Sequence, residues 1–136
     1  ALFHVVVVNS VSCSLAICYD LRFPGLFEAI AVHGPNVIFV IANWPRQRIA
    51  HWDTLLQARA LDCAAMIIGV NRTGVGGGQT YPGHSGVYGP SGKRLLAMGR
   101  AQLRTYAINC DVVEKYREQF PSFRDKRLSL YARLLR

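Results

Sequence analysis

The sequence predicts a single α/β unit, and three observations lead there. Short runs rich in β-branched residues, at 5–8, 37–41 and 66–70, alternate with segments whose apolar residues recur every three or four positions. Proline and glycine punctuate the junctions, at Pro24 and at Gly34-Pro35. With 136 residues, 51% of them hydrophobic and only 18% charged, the chain has the length and the apolar content for one packed core.

Residues 5–8 and 14–18 read as two strands around an Asn9-Ser10 turn, the second strand closing at Cys18. Pro24 suits the first position of a helix in which Leu26, Phe27, Ile30 and Ala31 share a face, and Gly34-Pro35 ends it. Residues 37–41 are apolar without alternation, the pattern of a strand covered on both faces, so a β-α-β unit forms. Beyond the Asn43-Trp44-Pro45 loop, Ile49, Trp52, Leu56, Ala60 and Cys63 mark an amphipathic helix, and 66–70 reads as another buried strand. Four glycines within Gly74 to Gly78 predict an irregular, mobile loop. Residues 84–88 and 94–98 flank Gly89-Pro90-Ser91-Gly92, a hairpin turn by composition. Residues 103–110 read as a last strand, Asp111 as the cap of a short helix reaching Glu118, and the remainder as a basic, proline-interrupted tail. No repeat, low-complexity tract or linker divides the chain, so 1–136 is one unit.

Composition narrows the partners. The formal charge is +8, from 16 Lys and Arg against 8 Asp and Glu. Half of that excess lies at the end, where Arg124, Lys126, Arg127, Arg133 and Arg136 outnumber Asp125. No recognition motif accompanies the charge, so nucleic acid is not an expected partner, and the tail is expected to pair with acids on another subunit or on an absent part of the fold. The apolar runs are far shorter than the roughly 20 residues of a membrane-spanning helix, which predicts a soluble protein with no membrane partner. Nothing reads as a secretory signal, so the expected location is cytoplasmic. Cys13, Cys18, Cys63 and Cys110 form no Cys-x-x-Cys pair; free thiols are expected, with no metal and no cofactor.

The stretch 15–24, Leu-Ala-Ile-Cys-Tyr-Asp-Leu-Arg-Phe-Pro, carries the most chemistry. A thiol at such a strand-to-helix elbow is pushed out of the sheet, and neighbouring backbone N–H groups point toward the same space. A helix start also favours thiolate, which is the attacking species. Cys18 is therefore the candidate nucleophile; the plainer reading is one more small hydrophobe buried in an apolar strand. Cys13, five residues earlier, falls on the opposite strand face and does not pair with it. A Cys–His mechanism would need a histidine, and His84 in Gly-His-Ser is the one placed to approach, whereas His51 beside Trp52 reads as packing. The glycine loop resembles a phosphate cradle only superficially, since a strand rather than a helix follows it.

The segment Ile17-Cys18-Tyr19-Asp20-Leu21-Arg22-Phe23-Pro24 resembles the catalytic-cysteine segment of the carbon–nitrogen hydrolase (nitrilase) superfamily. Further matches follow in order: Ala42-Asn43-Trp44-Pro45, His51-Trp52 with Gln57-Ala58-Arg59-Ala60, Gly69-Val70-Asn71-Arg72, Gly83-His84-Ser85, Pro90-Ser91-Gly92, and Phe120-Pro121-Ser122-Phe123 with Arg127 and Tyr131. The likeness spans nearly the whole chain, and Asn43-Trp44-Pro45 is similar to the bacterial ω-amidase-like branch. It implies part of a four-layer α-β-β-α sandwich, with 1–136 as the C-terminal half of the domain and the N-terminal half absent. It also implies a thiol-dependent amidohydrolase acting on a small, carboxylated ω-amide, in which Cys18 forms a thioester and ammonia leaves. The Tyr19 backbone N–H would hold the oxyanion together with a family Lys, while a family Glu serves as general acid and base.

Only the cysteine of that triad carries over, because this sequence has no Glu before Glu28 and no Lys before Lys93. The chain by itself is therefore expected to be inactive. Candidate substrate contacts are Arg22, one helical turn past Cys18, and Asn43 and Trp44, which follow the neighbouring apolar strand and so lie at the same sheet end as Cys18. Arg22 would hold a substrate carboxylate by a two-pronged contact, or alternatively form an ion pair with Asp20. Asn43 would supply polar capture and Trp44 a pocket wall. Two positions depart from the family: Ser14 stands where relatives have Gly, which would crowd the elbow, and Asp62-Cys63 replaces Glu-Asn, which puts a polar contact at the helix end in doubt. The full-length parent is expected to be a homodimer or larger. The competing reading is a non-catalytic fragment or pseudo-enzyme, an interaction module with a basic tail. Continuous apolar strands in such a half-fold are expected to leave much surface uncovered.

Overall fold

The computed structural model describes residues 4–99 and 103–134. β1 (Val5–Val8) and β2 (Val11–Ile17) form an antiparallel hairpin, and both turn residues, Asn9 and Ser10, take left-handed φ values of 48° and 66°. Such a turn matches the natural twist of paired strands. A 3-10 turn, Cys18–Arg22, then leads into α1 (Pro24–Ala31), which opens on its proline as the sequence predicts. Gly34 at φ 62° and Pro35 redirect the chain into β3 (Val37–Ala42), parallel to β2. After α2 (Ile49–Cys63), β4 (Met66–Asn71) lies parallel to β3. β5 (Thr73–Gly76) pairs only with β6 (Gln79–Pro82), while β7 (Gly86–Tyr88) and β8 (Arg94–Ala97) complete a six-stranded sheet of order β1-β2-β3-β4-β7-β8. α3 (Asp111–Gln119) and α4 (Leu128–Leu134) follow.

The parallel trio β2, β3 and β4 ends on one edge of the sheet, so the loops after Ile17, Ala42 and Asn71 converge there. One sheet face is sealed by α1 and α2, with Ala16, Ile38, Val40 and Ile67 packed against Phe27, Ile30, Trp52 and Leu56. On the other face, Val113 of α3 covers the amino ends of the strands at Cys13, Val37 and Met66. Toward the carboxyl ends that cover stops: Leu15, Ile17, Ile41 and Val70 are 50, 57, 44 and 49% exposed. The prediction that 37–41 is covered on both faces therefore holds at Val37 and fails at Ile41, because α3 reaches only the strand starts.

Other readings are corrected by tertiary pairing. The glycine-rich stretch is a hairpin rather than an irregular loop: β5 and β6 run in register from Thr73↔Pro82 to Gly76↔Gln79, and Gly77 and Gly78 supply the left-handed turn at φ 55° and 71°. Residues 103–110 form no strand, because no described strand lies alongside to share a ladder with them. Asp111 does not cap α3; the Asn109 side-chain oxygen accepts from its N–H at 2.9 Å. The basic end is not all tail, since 128–134 is helical and Lys126 reaches back to Glu28 at 2.8 Å and to the Asp62 carbonyl at 2.8 Å. Arg136 lies outside the described residues. Ser14 does not crowd the elbow: it sits opposite Val5 in the hairpin and donates to the His4 carbonyl at 3.2 Å.

Close packing at Gly69 gives a direct check. A Cβ there would run into Leu56 and Trp52 of α2. Gly69→Ala is expected to cost about 1–3 kcal/mol by overpacking, read as a lower urea midpoint with an unchanged m-value.

Candidate active site

Cys18 stands at the carboxyl end of β2, where strand gives way to 3-10 turn, and its φ is 46°. A cysteine in the left-handed region is strained by about 1–3 kcal/mol, and residues held this way cluster at functional turns. Two contacts hold the elbow. The Asp20 carboxylate accepts the Ile17 N–H at 2.9 Å, bridging Cys18 from the strand side. From α2, Arg59 donates to the Leu21 carbonyl through Nε at 3.3 Å and a terminal nitrogen at 3.1 Å. Arg59 is buried, and its charge is balanced by Asp62 at 2.8 Å, so the helix-end contact that the Asp62-Cys63 departure puts in doubt is made.

The thiol opens on a cavity of about 490 Å³, lined also by Tyr19, Arg22, Asn43 and Trp44. All five residues singled out in the sequence thus share one hollow; Pro45, Arg48 and His51 complete it. The Arg22 guanidinium lies 4.8 Å above the Trp44 ring and 3.4–3.5 Å from His51 Nδ1. Among the described residues it forms no ion pair; the alternative pairing with Asp20 is absent, because that carboxylate faces the Ile17 N–H instead. A cation therefore faces the cavity with its charge unanswered by an acid. A second hollow, of about 430 Å³, runs from Cys18 across Ile41 and Val70 to Arg72 on the open sheet face. Larger hollows of about 850 and 940 Å³ are lined mainly by apolar strand side chains; Asn71, Arg72 and Ser85 border the first and Asp20 the second.

Trp44 is fixed by a residue that sequence reasoning passed over. Asn71, at the end of β4, accepts the Trp44 N–H at 2.6 Å and donates to the Trp44 carbonyl at 3.1 Å and to the Gly83 carbonyl at 2.6 Å. Its own N–H donates to Ser85 Oγ at 3.0 Å. One buried carboxamide thereby pins the cavity wall and the 83–85 loop to the strand end. Arg59 was given no role in the sequence, and His51, read there as packing, lines the cavity beside Arg22 instead. Arg59 falls on the apolar stripe of α2, three residues after Leu56 and four before Cys63, and a charge on that stripe was the available signal. His84 does not reach the thiol: its Nδ1 is 3.0 Å from Asp53, which also takes the Tyr88 hydroxyl at 3.4 Å and lies 3.7 Å from Arg94. Among the described residues no cluster of His, Cys, Asp or Glu could hold a metal ion, and no helix is long and apolar enough to cross a membrane.

Residues 1–118 match the carbon-nitrogen hydrolase family. This chain belongs to it. It is 41% identical over 116 residues to "Hydrolase in agr operon" of Staphylococcus aureus, covering 85% of this chain and 44% of that one. It is 36% identical over 126 residues to "2-oxoglutaramate amidase" of Bacillus subtilis, covering 91% of this chain and 48% of that one. Among solved structures, a CN-hydrolase superfamily protein from Xanthomonas campestris, with an arsenic adduct in its active site, superposes at a TM-score of 0.86 and 30% identity over 93% of this chain and 51% of that one. The carbon-nitrogen hydrolase chain thus spans about half the length of the curated relatives it matches. Its α/β class and its kinship agree with the sequence reading.

The thiols differ in environment, and that gives a pH prediction. Burial, the largest effect, pushes Cys63 from an ordinary 9.0 up to about 12, with Asp62 and Glu28 adding to the rise and Lys126 and Arg59 opposing it. Burial also raises Cys13, Cys110 and Tyr88, the last to about 12. Below about 9 the Cys63 thiol is protonated whether the chain is folded or not, and its contribution to stability is fully present. Between 9 and 12 the unfolded chain ionises while the folded one does not, so stability falls as pH rises. Urea midpoints measured at about pH 7.5 and about pH 10.5 should show that loss, reduced in Cys63→Ala.

Proposed function

We propose that the chain supplies the nucleophile and the substrate-binding half of a thiol-dependent amidohydrolase, acting on a small amide that carries a carboxylate at its far end. The observation that carries this reading is the meeting of Cys18, on its left-handed elbow, with an acid-free Arg22 in one cavity. The name 2-oxoglutaramate amidase borne by relatives supports the same substrate class.

In this reading the Cys18 thiolate adds to the amide carbon. The Tyr19 N–H, in the first turn after the elbow where backbone donors lack helical partners, meets the oxyanion. Arg22 holds the carboxylate by paired N–H donors, its guanidinium kept against the Trp44 ring. Asn43 offers a polar contact at the cavity edge and Trp44 its wall. The C–N bond breaks, ammonia leaves with a proton, and water hydrolyses the thioester. The general acid and base that protonates ammonia, and a lysine for the oxyanion, have no counterpart here. The open side of Cys18, along Ile17, Ile41 and Val70, leaves room for them. A cytoplasmic setting and a homodimer or larger assembly belong to the same proposal.

Two outcomes are expected. The 136-residue chain by itself hydrolyses 2-oxoglutaramate at no more than about 1% of the rate of a full-length relative, since a general acid/base alone contributes ~10²–10⁴-fold. Ammonia release measures it, and an ordinary enzyme rate would overturn the division of labour. In a full-length relative, replacing the arginine equivalent to Arg22 by alanine raises KM for carboxylated amides about 10- to 100-fold, the loss of a charged hydrogen bond worth ~1.5–3 kcal/mol, and leaves neutral amides nearly unchanged.

A further inference from the structure

We propose that Asp20 is a positioning residue for the nucleophile: its carboxylate holds Cys18 in the left-handed elbow and so aims the Tyr19 N–H at the reacting carbonyl. The inference deepens the reading above and rests on Cys18 being the nucleophile. Three observations carry it. Cys18 is strained at φ 46° and its thiol is free of any disulfide, so its conformation is imposed by its neighbours. The Asp20 carboxylate spans the elbow to the Ile17 N–H at 2.9 Å, closing a ring of four residues around the cysteine. No cation draws that carboxylate elsewhere among the described residues, and Arg22, two positions on, is turned away onto Trp44. The far side of the turn has its own anchors, Phe23 N–H to the Asp20 carbonyl at 3.0 Å and Arg59 to the Leu21 carbonyl. With the turn held at one end only, the strained residue has a route to relax toward the extended region, and the N–H after it rotates away.

Two reactions of the same thiol separate aiming from simple survival. With p-nitrophenyl acetate, Cys18 Sγ attacks the ester carbonyl, the carbon–oxygen bond breaks, p-nitrophenolate leaves with the electron pair, and a thioester forms; this step needs an oxyanion donor but no acid for its leaving group. Alkylation by iodoacetamide, which displaces iodide, needs the thiolate and no oxyanion donor. In the full chain, Asp20→Ala is expected to slow the p-nitrophenolate burst at least about tenfold more than it slows Cys18 alkylation, whereas Asp20→Asn, which keeps an acceptor oxygen, stays within about twofold of the parent in both. Parallel changes in the two rates, no change, or an Asn variant as slow as the Ala variant overturns the assignment of Asp20. Absence of any Cys18-dependent burst in the parent, judged against Cys18→Ala, overturns the nucleophile reading and this inference with it.

Discussion

The site depends on a single backbone constraint, a non-glycine residue held in a left-handed conformation at the end of a parallel strand. For an L-residue that geometry is unfavourable by itself, so it survives only where both flanks are over-determined. Upstream, the flank is β2, paired with β1 up to Ser14 and with β3 through Ile17. Downstream it is the 3-10 turn, whose carbonyl is gripped by a buried arginine. The rigidity of the sheet thereby fixes the direction of one thiol.

Around that thiol the chemistry is assembled by strand order. Because β2, β3 and β4 are parallel neighbours, the elbow, the Asn43-Trp44-Pro45 loop and Asn71 arrive at one edge without any sequence proximity. Asn71 pairs with Trp44 through the same donor and acceptor that a neighbouring strand would offer, which extends sheet-like order past the ladder. The stiff wall that results carries the Arg22 guanidinium on its surface, and a planar cation held over an indole is pre-oriented for a planar anion.

The same edge is where the sheet is least covered. Leu15, Ile17, Ile41 and Val70 are half exposed beside the Cys18 thiol, while strand side chains on the helical face are sealed. Large side chains of this kind seek cover, so any element that packs there will also form a wall of the hollow beside Cys18. Core packing and the candidate site share a boundary in this fold. That boundary runs where a chain half the length of its relatives presents apolar strands to solvent.

The β-α-β core, α2, the first hairpin and the elbow at Cys18 were all legible in the sequence, because each rests on local rules: apolar period, proline at a helix start, glycine at its end. That Cys18, Tyr19, Arg22, Asn43 and Trp44 would meet in one place was legible too, since a strand-to-helix turn and the loop after a neighbouring parallel strand must share a sheet edge. The β5–β6 hairpin, the missing last strand at 103–110, the inward arginine on α2 and the duties of Asn71 and Asp20 were not. A glycine run is compatible with both loop and hairpin until partners exist, a strand exists only beside another strand, and a polar side chain declares its role only when its hydrogen-bond partner is in place. Sequence alone determined the β-α-β core and placed Cys18 at a strand-to-helix elbow. The tertiary structure decided which carboxamide and guanidinium would hold the elbow and its cavity wall in place, because those contacts join residues 27 and 38 positions apart.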